Sequence, residues 1–362
     1  SPPVPFPLLM GDARNTFNDS EGTVPPGEVP LREKTFLCRH YCELLGASVN
    51  RGSARVSYEE IKTDRITVNS LGTSIREIEN LASMRLEAVV PGGRLTLKEI
   101  ASRGDFDCFR GIENQVSDVG KELLIKDSGT VIAPGPSRVV IDPELTGILI
   151  HEAFGHLAEA DFLEANPAVA QLMRRGREIA SPLVSIVDDS TMFHLPGSMR
   201  WDWEGNPGQK TILVEKGIMQ NWLHTGETAA RNGAKPTGNA RAEEPGMFPG
   251  ARMTCTRMEP GQTEFPDLLG MLDNGLYLKG FMGGATDMDR FSIAVQEVWT
   301  VRRGKLCKPV APIVISGRVT DVLRSVQGTG RNLVMTGILR GCSRRGGASI
   351  PVSYGGPSVL LD

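Results

Sequence analysis

The 362-residue sequence contains no apolar run near the roughly 20 residues that a membrane-spanning helix requires. Its first residues, 1–7, lack both the basic start and the unbroken apolar segment of a secretory signal peptide. The sequence also begins without a methionine, which we expect of a processed or shortened polypeptide. These absences argue against a membrane as a partner of this protein.

An excess of charge of one sign is also missing. The 40 basic and 43 acidic side chains leave a net charge of −3, so nucleic acid and anionic membrane surfaces are not expected partners. Only six cysteines are present, and they are scattered without a repeated Cys-x-x-Cys pattern. In a chain of this length they do not form a disulfide scaffold, and we predict a reducing, cytoplasmic location.

Aromatic side chains are few, whereas 41 glycines indicate many turns and short strands. A helical apolar pattern over residues 33–45 ends at Gly46, a typical helix stop. Alternating patterns over 53–58, 61–69, 74–78 and 84–90 predict a meander of antiparallel strands. Strands dominate the pattern beyond residue 180. Mixed elements followed mostly by strands predict an α+β fold rather than alternating β-α-β units.

Histidine is scarce, and its scarcity draws attention to one segment. Two of the five histidines, His151 and His156, flank Glu152 within six residues at the end of an apolar run. Imidazole is a common metal ligand, and a carboxylate beside a metal is a ready general base for a water molecule. These residues alone leave both a metal site and a chance match open.

The spacing of the two histidines differs from that of the commoner His-Glu-x-x-His zinc motif, because His156 follows His151 by five residues. At about 100° per residue, this step leaves the side chains about 140° apart around a regular helix. A shared metal therefore requires a distorted helix. Gly155 is a candidate for the distortion, since glycine tolerates unusual backbone angles. The helix is predicted to begin after Asp142-Pro143, a typical cap and first residue.

A catalytic zinc or iron site usually has three protein ligands and one open position. The candidate for the third ligand is Cys342, which lies in a glycine-rich loop near the end of the chain. Arg344 and Arg345 follow it closely, and their charges would favour the thiolate that metals bind. A free cysteine without a metal is the alternative that these residues leave open.

The sequence resembles the TldD/PmbA family of metallopeptidases, specifically its motif-bearing TldD-type subunit. Residues 151–161 resemble the family's His-Glu-x-x-x-His segment. Further similar blocks follow in the family's order at 187–189, 211–217, 236–241, 249–254, 275–284, 341–342 and 350–357. The resemblance covers most of residues 115–362. The first hundred residues are similar to the latter part of the family's N-terminal domain, whose usual beginning is missing.

The resemblance implies a fold and a site. The fold is a partial N-terminal α/β two-layer domain over residues 1–110, followed over residues 111–362 by a β-rich metallopeptidase domain with a motif helix. The site is one divalent metal ion, zinc or iron, and a general base. The implied ligands are His151, His156 and Cys342, and the implied base is Glu152.

The resemblance also implies substrates and a partner. The substrates are small unstructured or unfolded peptides, hydrolysed inside an enclosed cavity. The partner is an identical chain or a paralogue that lacks the motif. Gly283 and Gly284 are candidate substrate-binding residues, because missing side chains would let an extended peptide approach the backbone. A pair of turn or bulge glycines is the alternative for these two positions.

Two other functions are alternatives to a peptidase. A deformylase-like metal amidase also uses two histidines, a cysteine and a glutamate, but its cysteine precedes a four-spaced histidine pair. Here Cys342 follows a five-spaced pair by nearly two hundred residues. A non-catalytic subunit of a TldD/TldE-like assembly is the second alternative. The presence of all four expected residues favours the active subunit.

Overall fold

The structure is a computed structural model that describes residues 15–19, 24–49, 52–70, 72–90, 94–126, 130–244, 246–343 and 348–362. Arg344 and Arg345, the two arginines predicted to favour the thiolate, lie outside the described residues. The part of the chain that the structure describes contains no helix long and apolar enough to cross a membrane.

The first part of the chain forms a four-stranded sheet and two helices. Its elements are β1 Asn15–Asp19, α1 Leu31–Ser48, β2 Ser53–Val68, β3 Ser74–Val90, β4 Arg94–Arg103 and α2 Glu113–Lys126. β3 lies in the centre, with β2 antiparallel along one side. β1, which is parallel, and β4, which is antiparallel, share the other side of β3.

Helices α1 and α2 pack on this sheet through one apolar cluster. Tyr41 of α1 and Val116 of α2 are fully buried in it together with Met84 of β3. The Tyr41 hydroxyl donates a hydrogen bond to the Phe109 carbonyl oxygen at 2.8 Å. Helix α2 therefore shares its core with the first sheet, and the division between residues 110 and 111 stays a prediction.

Two local predictions in this region were wrong. The predicted antiparallel meander is present as β2, β3 and β4, but its four predicted segments form only two long strands, whose register runs unbroken from Ser53 paired with Val89 to Val68 paired with Ser74. Charged residues interrupt the apolar pattern of β2 without ending the strand, because strand pairing depends on backbone hydrogen bonds. Helix α1 likewise continues through Gly46 to Ser48, since one helical glycine costs only about 1 kcal/mol and packing can outweigh it.

The second part of the chain forms two larger mixed sheets and a two-stranded ribbon. The seven-stranded sheet contains β5 Val139–Ile141, β12 Gly275–Asp287, β13 Arg290–Arg302, β14 Lys305–Val310, β15 Val314–Arg318, β16 Val326–Thr329 and β19 Val359–Leu361. The six-stranded sheet contains β6 Ile186–Asp189, β7 Lys210–Glu215, β8 Ile218–Met219, β11 Cys255–Met258, β17 Val334–Cys342 and β18 Ile350–Gly356. The ribbon pairs β9 Ala240–Arg241 with β10 Gly250–Ala251.

Short helices complete this part of the chain. They are α3 Pro143–Ile148, α4 Ala160–Ala165, α5 Pro167–Leu172, α6 Gly226–Arg231, α7 Phe265–Leu272 and α8 Val319–Arg324. Helix α3 lies between the two larger sheets, and one apolar cluster joins its Leu145 to Val298 of β13 and Val214 of β7. Mixed sheets with segregated helices confirm the predicted α+β class.

Helix α3 begins where the sequence predicts. Asp142 is its N-cap, and its carboxylate accepts a hydrogen bond from the Leu145 N–H at 2.8 Å. Pro143 occupies the first helical position. The Asp142 N–H also donates to the Leu278 carbonyl oxygen at 2.9 Å, which fixes the start of the helix to β12.

Helix α3 packs against β18 at very short range, and this contact sets the position of the motif. A Cβ atom added at Gly147 would lie 2.8 Å from the Cα atom of Gly355 and 2.9 Å from Cδ2 of Tyr354. Glycine is needed here because any side chain would push the helix away from the sheet. β18 pairs with β17, which ends at Cys342, so the contact brings the motif helix beside the candidate third ligand.

The first sheet also contacts the strand that ends at Cys342. The Leu339 N–H donates a hydrogen bond to the Glu99 carboxylate of β4 at 3.0 Å. Arg340 forms an ion pair with Glu59 of β2. β17 is therefore held on one side by β18 and on another by the first part of the chain.

Candidate metal centre

The motif helix changes its hydrogen bonding after Ile148. Leu149–Phe154 forms a π-helical segment, and Gly155–Ala158 forms a 3-10 turn. The Gly155 N–H donates to the Ile150 carbonyl oxygen, five residues earlier. Such i to i+5 bonding widens the turn, so that residues five apart approach one another along the helix. The distortion predicted from the spacing of His151 and His156 is confirmed.

The prediction that Gly155 is needed for an unusual backbone conformation was wrong. Its φ of −60° and ψ of −44° are ordinary helical angles that any residue adopts. A Cβ atom at this position would instead lie 1.9 Å from the sulfur atom of Met253. Gly155 therefore provides space for Met253 rather than an unusual backbone conformation.

The structure brings together three of the predicted site residues. One donor atom each from His151, His156 and Cys342 lies within 4.8 Å of the other two. The Cys342 Sγ atom lies 3.6 Å from Nε2 of His156. Tetrahedral ligands with bond lengths of about 2.3 Å to sulfur and 2.0 Å to nitrogen lie about 3.6 Å apart. This separation therefore matches that of two ligands of one tetrahedral ion.

His151 gives an independent test of whether these residues fit a metal ion. It is 1% exposed, and neither of its ring nitrogens has a hydrogen-bond partner within the described ranges. A buried polar group without a partner costs about 1–3 kcal/mol, and a metal bond would remove that cost for one nitrogen. Two imidazoles and a thiolate form a donor set that suits zinc. The residues present fit a divalent ion.

The surroundings of Cys342 favour its thiolate. Burial raises the pKa of the Cys342 thiol, but the imidazoles of His151 and His156 outweigh burial and lower the pKa to about 5. Arg252 Nη2 donates to the sulfur atom at 3.1 Å. Arg252 therefore places a positive charge beside the sulfur atom. The sequence offered no signal for this role, because Arg252 precedes Cys342 by 90 residues.

Glu159 is a second residue that the sequence analysis missed. Its Oε2 atom lies 3.3 Å from Nδ1 of His156, and Glu159 is completely buried. Burial lowers the pKa of His156, but Glu159 and the Cys342 thiol outweigh burial and raise the pKa to about 10. A carboxylate on one imidazole nitrogen commonly orients the other towards a metal. The sequence carried one signal for Glu159, because a carboxylate three residues after a candidate ligand can reach that ligand within one helical turn.

We expect Glu159→Gln to weaken zinc binding by about tenfold, because carboxylates that orient ligating imidazoles typically contribute 10- to 100-fold to metal affinity. Competition with a chromogenic chelator measures the affinity. The matched control is Glu164→Gln, which removes a carboxylate that pairs with Arg231 at the surface and should leave zinc affinity unchanged. Equal zinc affinity in both variants and the unmodified protein would remove this role from Glu159.

A buried network positions the segment that carries Arg252. The Asp188 carboxylate accepts hydrogen bonds from the Thr254 N–H at 2.9 Å and from Asn239 Nδ2 at 2.7 Å. Asn239 Nδ2 also donates to the Arg252 carbonyl oxygen at 3.0 Å. Asp188 is 1% exposed, so its carboxylate serves this network. The network fixes the backbone at Arg252 and Thr254.

The remaining predicted site residues lie as follows. Glu152 lies on the π-helical segment directly after His151 and is half-buried, and its carboxylate makes no hydrogen bond to a group that the structure describes. A carboxylate without a fixed partner can accept a proton from water. Gly283 and Gly284 lie on β12 opposite Ala294 and Ile293 of β13. The roles of all three residues stay predictions.

This chain is similar to known proteins in sequence and in structure. The family model described as the PmbA/TldA metallopeptidase C-terminal domain matches residues 134–362. A metalloprotease of Synechocystis is 32% identical over 340 residues, which cover 93% of this chain and 73% of the relative. A metalloprotease of Methanocaldococcus jannaschii is 36% identical over 345 residues, with coverage of 93% and 75%. A zinc metalloprotease TldD homologue of Saccharolobus solfataricus is 31% identical over 258 residues, with coverage of 71% and 57%.

Two crystal structures share the fold. A Thermotoga maritima protein described as a proposed modulator of a DNA gyrase has a TM-score of 0.76 at 22% identity, covering 92% of this chain and 74% of its own. TldE from Thermococcus kodakarensis has a TM-score of 0.66 at 17% identity, covering 91% and 74%. The family model spans more than half of the chain, and relatives above 30% identity span most of it. The chain belongs to the PmbA/TldD family of metallopeptidases.

Proposed function

We propose that this chain is the metal-bearing subunit of a peptidase that hydrolyses small unstructured or unfolded peptides. In this proposal His151, His156 and Cys342 hold one divalent ion, and Glu152 is the general base. The observation that carries the proposal is the convergence of two imidazoles and a thiol within 4.8 Å, on elements 186 residues apart in sequence. The π-helical segment and the Gly147 contact with β18 serve that convergence.

The proposed chemistry divides between the ion and the protein groups. A divalent ion bound there supplies Lewis acidity that polarises a peptide carbonyl and lowers the pKa of a water molecule. Glu152 takes the proton of the attacking water on its carboxylate and delivers it to the leaving amine. Glu159 fixes the orientation of the His156 ring. Arg252 compensates the charges of Glu159, Glu243 and the Cys342 thiolate.

We propose zinc as the ion, with iron as the alternative. Two histidines and one cysteine leave a fourth position open in a tetrahedral zinc site. The Saccharolobus solfataricus relative is named a zinc metalloprotease, which supports the choice. All six cysteines are free, in agreement with the reducing, cytoplasmic location that we propose.

The free edge of β12 supports the proposed approach of the peptide. β5 pairs only with Leu276–Leu278 of β12. From Gly280 onwards the described strands leave β12 with one neighbour, β13. A Cβ atom at Gly283 would meet nothing within 4 Å. An extended peptide can add to such an edge through backbone hydrogen bonds, and we assign this position to the substrate.

We propose that the active form is a dimer that encloses the cavity. Its partner is an identical chain or a paralogue without the motif. The similarity of this fold to TldE supports an assembly of two related chains. Purification of the protein alone and with a motif-lacking paralogue, followed by light scattering and peptidase assays of each, distinguishes the two cases.

The test of the proposed function is removal and return of the metal. We expect a chelator to abolish hydrolysis of short flexible peptides, because His151, His156 and Cys342 form the one cluster of three metal-ligating side chains among the residues that the structure describes. Zinc added in equimolar amount should restore the activity, and iron(II) added to a parallel sample tests the alternative ion. Full hydrolysis by metal-free protein would refute a metallopeptidase. Metal-loaded protein without activity, alone or with the paralogue, would indicate a non-catalytic subunit.

A further inference from the structure

Tyr354 has a buried ring beside the metal centre. It lies on β18 and is 3% exposed. Its ring packs on the motif helix, where Cδ2 occupies the space that a side chain at Gly147 would need. One turn further along the helix, the centroid of its ring lies 5.8 Å from that of the His151 ring. The phenol is therefore held against the helix that carries two candidate ligands and the candidate base.

The hydroxyl of Tyr354 has no hydrogen-bond partner in the part of the chain that the structure describes. Two other tyrosines differ in this respect. The Tyr41 hydroxyl donates to the Phe109 carbonyl oxygen, and the Tyr58 hydroxyl donates to the Glu60 carboxylate, both at 2.8 Å. The hydroxyl of Tyr354 is a donor that the fold itself does not use.

The charged groups around Tyr354 connect it to the candidate base. The carboxylates of Glu144, Glu99 and Glu152 interact electrostatically with the phenol. The Glu99 carboxylate accepts a hydrogen bond from the Leu339 N–H, whereas the carboxylates of Glu144 and Glu152 make no hydrogen bond to any described residue. The unpartnered hydroxyl of Tyr354 and the unpartnered carboxylate of Glu152 therefore belong to β18 and to the motif helix, two elements that meet at the ring of His151.

We infer that Tyr354 is a further catalytic residue, whose hydroxyl donates a hydrogen bond to the carbonyl oxygen of the peptide bond being cleaved. This inference rests on the proposed function. Tyrosine is protonated at neutral pH, so the phenol is a donor under working conditions. The bond strengthens as the carbonyl oxygen gains negative charge, and an interaction that is stronger in the transition state raises kcat.

The test is Tyr354→Phe. Because the hydroxyl has no partner in the fold, phenylalanine keeps the packing, and we expect unchanged metal content and melting temperature. We expect kcat to fall by about 100-fold, in the range found for single donors to a developing oxyanion, with KM within about twofold. The matched control is Tyr277→Phe. Tyr277 packs on Phe265 in a separate apolar cluster and should keep the kinetics of the unmodified protein.

A binding measurement gives a second readout. A phosphinic peptide carries a tetrahedral anionic group in place of the peptide carbonyl. We expect Tyr354→Phe to weaken its binding by a factor similar to the loss in kcat. The peptide of the same sequence with an ordinary peptide bond is not cleaved by Glu152→Gln, so its affinity can be measured with that variant. We expect Glu152→Gln and the double variant Glu152→Gln/Tyr354→Phe to bind it with equal affinity.

The outcomes separate this inference from the proposed function. An active unmodified protein with unchanged kcat and unchanged phosphinic affinity in Tyr354→Phe would overturn the inference alone. A raised KM at unchanged kcat would also overturn it, because the hydroxyl would then contact only the ground state. A metal-loaded unmodified protein without peptidase activity would overturn the proposed function and this inference together.

Discussion

Replacement of Cys342 by alanine is expected to remove the bound metal and, with it, all detectable peptidase activity. The change removes one of the three proposed protein ligands, and the only one of them that would carry a charge when bound. It also leaves the buried His151 and the half-buried His156 without the proposed ion, and it removes the sulfur atom that accepts a hydrogen bond from Arg252. We expect metal content to fall from about one ion per chain to near zero and turnover to fall by at least about 10³-fold.

The control for this experiment is Cys255→Ala. Cys255 lies on β11, is fully buried, and has a thiol whose pKa burial raises. Both substitutions delete one buried sulfur atom, so both carry a similar packing cost of about 1–2 kcal/mol. Only Cys342→Ala should lose metal. Elemental analysis, peptidase assay and thermal unfolding of the two variants separate ligation from packing. Equal metal content in both variants would exclude Cys342 as a ligand.

The second large effect is expected for Glu152→Gln, which should lose turnover while keeping its metal. Glutamine has the shape of glutamate but cannot accept a proton, and general bases contribute about 10² to 10⁴ in rate. We expect kcat to fall by about 10³-fold. The free energy of unfolding should stay nearly unchanged, because the Glu152 carboxylate makes no hydrogen bond to a residue within the described ranges.

Glu144→Gln is the matched control for Glu152→Gln. Glu144 lies on the same helix, two turns before the candidate base, and also makes no hydrogen bond to any residue that the structure describes. Burial raises its pKa to about 7, so its loss of charge is small at neutral pH. We expect activity within a few-fold of the unmodified protein. Comparable turnover in Glu152→Gln and the unmodified protein would contradict the base role, and loss of metal in Glu152→Gln would point to ligation.

The part of the site that follows from local sequence was predictable. Asp142 and Pro143 start the helix because capping depends on neighbouring residues alone. The five-residue spacing of the histidines required a distorted helix, and the π-helical segment provides it. Cys342 was a candidate ligand from its glycine-rich loop, but only the family resemblance linked it to the motif helix, because no local pattern connects residues nearly two hundred positions apart.

The rest of the site depends on contacts that no local pattern encodes. Arg252 reaches Cys342 because Asp188 and Asn239 fix its segment from other strands. Tyr354 reaches the motif helix because Gly147 leaves room for its ring. The length of β2 was missed for a related reason: its charged residues find partners on other elements, as Glu59 does with Arg340. Pairing partners far along the chain are not visible in a short window of sequence.

The contact between β17 and the first sheet would couple binding of the proposed ion at Cys342 to docking of the first sheet. β17 ends at Cys342, while its neighbouring residues Leu339 and Arg340 bind Glu99 and Glu59 of the first part of the chain. Any change that loosens this contact frees the strand that positions the sulfur atom. Coupling of this kind is reciprocal. To the extent that docking of the first sheet restrains Cys342, binding of the proposed ion would strengthen that docking by the same free energy. The ion would then stabilise a contact made by Leu339 and Arg340, which are not its ligands.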